Sequence, residues 1–226
     1  MEAFSSLTKH DKETERKSAA LQSFRGLLQL AARPSIGPSP SYGKAHMVLA
    51  FLTIGESGLI GRQALAAKAG LKEGPARTII KKLRDGGYAG ANASGCYLTE
   101  SGMSALQSFA AKLSPLVAVE RSAITMGFIQ VGLAVKEGGR AVRGGLEQRD
   151  AAIGVGAAGA TTLIIKEGRF TIPGGSADCE SDFPGPSWGS LRAHLKLANG
   201  DAVVLSGAPD EVTAKLGALS AALTLL

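Results

Sequence analysis

The stretch GRQALAAKAGLKEGPARTIIKKLRD, residues 61–85, decides the fold. Gly61 to Ala69 puts Leu65, Ala66 and Ala69 on one face of a short helix. Gly70-Leu71-Lys72 makes a tight turn. Glu73 to Asp85 makes a second helix, with Pro75 in its first turn, where a missing N–H is harmless, and Gly86-Gly87 as its stop. In that helix Ala76, Ile79, Ile80 and Leu83 point inward. Arg77, Lys81 and Arg84 recur at i, i+4 and i+7 and share the outer face, with Thr78 and Lys82 beside it.

The flanks complete the pattern. Upstream, Lys44 to Ile54 is an apolar helix, broken by Gly55-Glu-Ser-Gly58, with Leu59-Ile60 as a short apolar pair. Downstream, Tyr88-Ala89-Gly90 and Cys96-Tyr97-Leu98 read as two short strands around the loop 91–95. Thr99 caps a further helix that runs to about Leu113, and Pro115 marks a boundary. Three helices, a hairpin and a helix in this order are a winged helix-turn-helix. The second helix of such a pair fits the DNA major groove, where Arg and Lys reach phosphates or guanine and Thr reaches bases. The expected DNA-binding residues are Lys72, Arg77, Thr78, Lys81, Lys82 and Arg84. The loop 91–95 carries no Lys or Arg, which suits a protein-interaction module as well.

The charge distribution points the same way. The chain of 226 residues has a net charge of +6. Residues 1–114 hold 15 Lys and Arg against 8 Asp and Glu, and residues 115–226 hold 10 against 11. The basic surplus therefore lies entirely in the first part, as expected for a polyanion-binding module joined to a module with another task.

Composition narrows the class. Hydrophobic residues are 45% and charged residues 19%, which is globular rather than disordered. Two distant cysteines, Cys96 and Cys179, and three scattered histidines exclude a disulfide-dense scaffold and give no metal cluster. No cofactor is expected. The start MEAFSSLTKHDKETERK lacks a signal peptide's apolar stretch. The longest uncharged apolar run, Ser122 to Val135, is too short to span a bilayer and contains Gly127, Gln130 and Gly132. We expect a cytoplasmic protein with no membrane association.

The rest of the chain divides around this core motif. Residues 1–17 read as a polar tail, and residues 18–32 as a helix ended by Arg33-Pro34. PSIGPSPSYG, residues 34–43, is a loop. Beyond Pro115 the pattern is a mixed α/β domain of residues 115–226. Ala118 to Val135 forms one or two strands, Leu146 to Ile153 a helix, and Thr161 to Lys166 with Arg169 to Ile172 a hairpin across Glu167-Gly168. Residues 173–187 are a loop and Trp188 to Leu197 a helix. Ala202 to Leu205 is a strand, and Pro209-Asp210 open a last helix with Val212, Leu216, Leu219 and Leu223 on one face. The expected organisation is a tail and helix (1–33), a winged helix-turn-helix (34–114) and an α/β effector-binding or dimerisation domain (115–226), an α+β fold overall.

Several motifs in the C-terminal part invite chemistry. Gly154-Val-Gly-Ala-Ala-Gly159 matches GxGxxG, but a helix precedes it and a strand follows, the reverse of a dinucleotide-binding turn. Gly144-Gly145 before Leu146 expose N–H groups able to hold an anion. With Glu147, Arg149, Asp150, Thr161 and Thr162 they form the expected site for an anionic small-molecule effector. Asp178, Glu180 and Asp182 read as an acidic loop, Cys96 as a small buried residue, and His194 as a surface or packing residue. No set of residues reads as catalytic, so an enzyme is not expected.

Residues 34–90 and the segment GCYLTESG resemble the winged-helix domains of archaeal predicted transcriptional regulators; the latter is similar to their Y-x-L-T-x-x-G close. In one such group a second, uncharacterised domain follows, and residues 142–175 look like that domain. The resemblance implies a regulator architecture. The function expected is therefore a DNA-binding transcriptional regulator acting on double-stranded DNA as a homodimer. The helix 18–32 and the last helix would supply dimer contacts. The alternatives are an enzyme with a winged-helix appendage, such as a nucleotide-using kinase, and a protein-interaction subunit.

Overall fold

The structure is a computed structural model that describes residues 25–31 and 42–226. The tail 1–17, the first part of the helix expected over 18–32 and most of the loop 34–43 lie outside the described residues. Residues 25–30 are helical and form the described part of α1, whose Leu27 is fully buried.

Helix α2 (Lys44–Ser57) runs through the expected break at Gly55 and is capped at Gly58. Helices α3 (Arg62–Lys68) and α4 (Glu73–Asp85) follow, joined by the expected turn. Strands β1 (Ala89–Asn92) and β2 (Gly95–Leu98) pair as an antiparallel hairpin around Ala93-Ser94. Tyr88 stays outside the strand. Ile60 adds a third rung: its N–H donates to the Cys96 carbonyl at 3.0 Å, and the Cys96 N–H returns the bond at 2.9 Å. Helix α5 (Glu100–Lys112) begins at Thr99, whose hydroxyl accepts from the Gly102 N–H at 3.1 Å. The arrangement is a winged helix-turn-helix.

The C-terminal part is a five-stranded antiparallel sheet in the order β3-β4-β7-β5-β6. Strands β3 (Val117–Val119) and β4 (Ile129–Val135) resolve the run expected over 118–135 into two, with a crossing loop between. The buried Gln130 holds that loop: its Oε1 accepts from the N–H and hydroxyl of Ser122, and its Nε2 donates to the Thr125 carbonyl at 2.7 Å. A short 3-10 turn (Gly138–Ala141) leads to α6 (Leu146–Ile153). Strands β5 (Gly159–Lys166) and β6 (Arg169–Thr171) are joined across Glu167 and Gly168, both at positive φ as a tight primed turn requires. The loop expected over 173–187 contains a one-turn helix, α7 (Cys179–Asp182), and α8 (Ser187–His194) follows. Strand β7 (Ala202–Ala208) and helix α9 (Glu211–Ala222) complete the fold.

One core crosses from the winged helix into the sheet. Met47, Phe51, Leu65, Ile79, Leu83 and Phe109 belong to the same buried cluster as Val131, Leu133, Val204, Leu216 and Leu219. Helices α6 and α9 cover this face of the sheet, and α2 lies against α9. Leu163, Phe170, Trp188, Leu191 and Val203 fill a second cluster on the opposite face. The link between the parts is itself paired to the sheet. The Ser114 N–H donates to the Ala134 carbonyl at 2.9 Å, and the Lys136 N–H to the Lys112 carbonyl at 2.8 Å.

The leucine face of the last helix, expected to offer dimer contacts, is instead packed within the chain. Ala214, Leu216 and Leu219 are buried, because this face meets both the sheet and α2. The helix-turn-helix turn touches the same helix. Gly70 sits at φ 63°, and a Cβ there would lie 2.8 Å from Val212 Cγ1.

Two groups make this packing testable. An added Cβ at Gly102 would lie 2.0 Å from the Tyr88 carbonyl oxygen, which is fixed backbone. Gly102→Ala is expected to lower stability by about 1–3 kcal/mol, read as a lower urea midpoint at unchanged slope. Asp201, 2% exposed, accepts from Lys136 Nζ at 2.8 Å and from the N–H groups of Glu137 and Ala198 at 3.0 Å each. Burial pushes its carboxyl up, but the bonds from Lys136 and the two amides outweigh this and hold it below its ordinary 3.8. The stability it contributes is present above about pH 4 and is lost as pH falls through the lowered folded-state value. Asp201→Asn should cost about 1–3 kcal/mol at neutral pH and flatten the acid limb of the stability–pH curve.

Candidate nucleic-acid interface

Helix α4 presents a basic face, the candidate interface, because its apolar spacing buries one side only. Ala76, Ile79 and Leu83 are buried, whereas Arg77, Thr78, Lys81 and Arg84 are exposed. Ile80, expected inward, is half-buried at the border of the two faces. A cleft of about 510 Å³ opens between α4 and the β1–β2 hairpin. Arg77, Ile80, Lys81 and Arg84 line one wall, and residues 91–96 line the other. Gly61 and Arg62 close the end.

Arg62 is a cation that sequence reasoning missed, since it lies on α3 and only the fold brings it to this cleft. Glu73, in the first turn of α4, accepts from Arg62 at 2.7 Å and lies 3.8 Å from Arg77. One carboxylate thus gathers guanidinium groups from two helices. Glu73 also sits where the helix dipole favours a negative charge. These side chains are solvent-exposed, so the pairs position rather than stabilise.

The opposite wall works through backbone shape. Asn92 Oδ1 accepts from the N–H groups of Ser94 at 2.9 Å and Gly95 at 3.1 Å, closing a compact turn. A short neutral tip results, in keeping with the absence of Lys and Arg there. Cys96, at the base of the cleft, is 3% exposed, and its thiol donates to the Ile60 carbonyl.

The other expected residues lie at the margins. Lys72 is the exposed residue before α4. The Thr78 hydroxyl donates to the Gly74 carbonyl one turn back at 3.1 Å. Lys82 turns away from the cleft: its Nζ donates to the Leu30 carbonyl at 2.8 Å and lies 5.8 Å from the Tyr42 ring centroid. It ties α4 to α1.

The effector residues expected around Gly144 are not one cluster. Gly145 begins α6, and a Cβ there would lie 3.5 Å from Thr162 Cβ, so Thr162 does stand behind the helix start. Thr161 is the exception. Successive strand residues face opposite sides, and its hydroxyl donates to the Ile124 carbonyl at 2.5 Å beneath the crossing loop. Arg149 binds its neighbour Asp150 at 3.1 Å on the surface, and Glu147 is exposed. The GxGxxG glycines form the expected helix-to-strand connection from α6 to β5. The acidic loop is tied down rather than free: Asp178 caps α7 and pairs with Arg169, and Glu180 pairs with Arg192. Among the described residues no group of acidic, His or Cys side chains could hold a metal ion, and no helix is long and apolar enough to cross a membrane.

Residues 126–225 match a family described as a domain of unknown function, DUF4443. That span contains the stretch 142–175. The hypothetical protein PH0730 from Pyrococcus horikoshii OT3 superposes with a TM-score of 0.65, covering 82% of this chain and 93% of its own, at 20% identity. At that identity the likeness is one of fold. Ligand-free NadR gives a TM-score of 0.24 at 17% identity, over 46% of this chain and 78% of its own. No curated protein matches the chain.

Burial pushes the thiols of Cys96 and Cys179 above their ordinary range. A thiol that stays protonated is a poor nucleophile. Both cysteines should therefore resist an aromatic disulfide reagent at neutral pH in the folded protein and react at once in guanidinium chloride. Rapid labelling of Cys96 in the native state would mean that the cleft opens at its base.

Proposed function

We propose that the chain is a DNA-binding transcriptional regulator that contacts double-stranded DNA through α4 and the adjoining hairpin. The observation that carries this reading is the exposed row Arg77, Lys81 and Arg84 along one wall of a cleft. Arg62 extends that row from α3. A helix enters the major groove side-on, so a row of cations along its outer face meets phosphates and base edges together. The neutral, compact hairpin contributes shape, its Ser94 and Gly95 N–H groups being taken up by Asn92, so the charge contact falls to α4. On this reading the protein binds rather than catalyses, and the C-terminal domain senses a small ligand or joins two copies on paired half-sites.

A neutral hairpin tip also fits a winged helix that docks on another protein. The two readings differ in salt dependence. Fluorescence anisotropy on pooled fragments of the protein's own upstream DNA, at several salt concentrations, separates them. For DNA binding, affinity should fall steeply with salt. Lys81→Ala should weaken binding evenly across sequences and lower the salt slope by about 1, and Arg77→Ala should cost about 1–3 kcal/mol. Unchanged affinity after charge reversal at both Arg77 and Lys81 would rule out α4 as the reading helix. Absence of binding at low salt would favour the protein-docking role.

A further inference from the structure

Two adjoining cavities lie where the winged helix meets the C-terminal sheet. The smaller, about 180 Å³, is mainly apolar, with walls that include Leu106 and Phe109 of α5, Leu133 of β4 and Leu219 of α9. The larger, about 360 Å³, carries the charges Glu56, Lys68, Glu211 and Lys215. Leu52, Glu56 and Leu116 line both. The result is an apolar recess beside a polar mouth, the usual make-up of a small-molecule site.

The charges at the mouth are not equivalent. Glu211 and Lys215 satisfy each other at 2.6 Å across one helical turn. Glu56 and Lys68 make no ion pair or hydrogen bond with any described residue. They leave one anion and one cation facing a shared cavity. Both are exposed at its rim, where a guest with one cation and one anion can pair with each, and a guest with a single charge would serve only one. The recess has the volume of about six water molecules, enough for a branched or aromatic side chain.

We propose that this junction binds an α-amino acid with an apolar side chain. Glu56 receives the ammonium, Lys68 receives the carboxylate, and the side chain enters the recess beside Phe109 and Leu219. Leu52 and Phe109 come from the winged helix and Leu133 and Leu219 from the C-terminal part, so the guest bridges the two. The inference rests on the regulator reading for its regulatory meaning, whereas the binding itself is measured without DNA.

Isothermal titration of the full chain with L-leucine and with L-phenylalanine tests it. Saturable binding of at least one is expected. Isopentylamine and 4-methylpentanoate each keep one of leucine's two charges and should bind at least about tenfold more weakly than leucine, or not at all. Glu56→Gln and Lys68→Met change exposed side chains that the fold tolerates, and each should weaken the amino acid about tenfold. Three results would overturn the proposal. One is no saturable binding of either amino acid up to about 10 mM. Another is equal affinity for the singly charged analogues, and the third is affinity that both variants leave unchanged. Loss of DNA binding with amino-acid binding intact would count against the regulator reading alone.

Discussion

Helix α9 is pressed between the sheet on one side and α2 on the other, and the rest of the molecule is arranged around that double contact. A helix buried on two sides cannot carry a bulky residue at every position. Ala214, Gly217, Ala218, Ala221 and Ala222 keep the flanking layers close, while Leu216 and Leu219 fill the gaps. Burying those two leucines contributes about 1.5–3 kcal/mol each. The contact also decides where the winged helix sits. Its turn at Gly70 rests on Val212, and its first full helix, α2, rests on α9. The basic outer face of α4 is left exposed because the opposite side of the helical unit is used for this packing.

That geometry makes the two halves mechanically dependent. The linking residues 112–114 are hydrogen-bonded to the end of β4 and do not form a free tether. At the other end of the same region, Asp201 draws Lys136 and two backbone amides together. Any guest at the junction would act on a joint already held by backbone pairing, where small shifts are transmitted because packed interiors yield little. At the cleft, by contrast, the groups are exposed and free to reorient. Glu73 holds Arg62 and Arg77 loosely, at solvent-exposed positions where water screens the pairs.

The elements were legible wherever a local rule dominates. The i, i+4, i+7 spacing of Arg77, Lys81 and Arg84 gave the outer face of α4, and Thr99 marked the start of α5 through its side-chain cap. Glu167-Gly168 announced a hairpin, and the backbone forms it with both residues at positive φ. Reading was weaker where tertiary contact overrides local preference. Gly55 suggested a break, yet α2 continues through it, because a Cβ there would lie 2.7 Å from Leu106 of α5 and glycine lets the helices approach. Thr161 and Thr162 were both expected at the effector site, but the strand sends them to opposite faces. Lys82 looked like a DNA contact, but α1 supplies a carbonyl that holds it.

The sequence by itself determined the order of elements, the basic face of one helix and the neutrality of the hairpin beside it. These follow from periodicity, capping and charge, which act over a few residues. Only the tertiary structure decided that Arg62 joins the cleft, that the leucines of α9 are internal, and that Glu56 and Lys68 share a cavity beside an apolar recess. Each of those depends on residues far apart in the chain being brought together by one continuous core, and no local spacing records such distances.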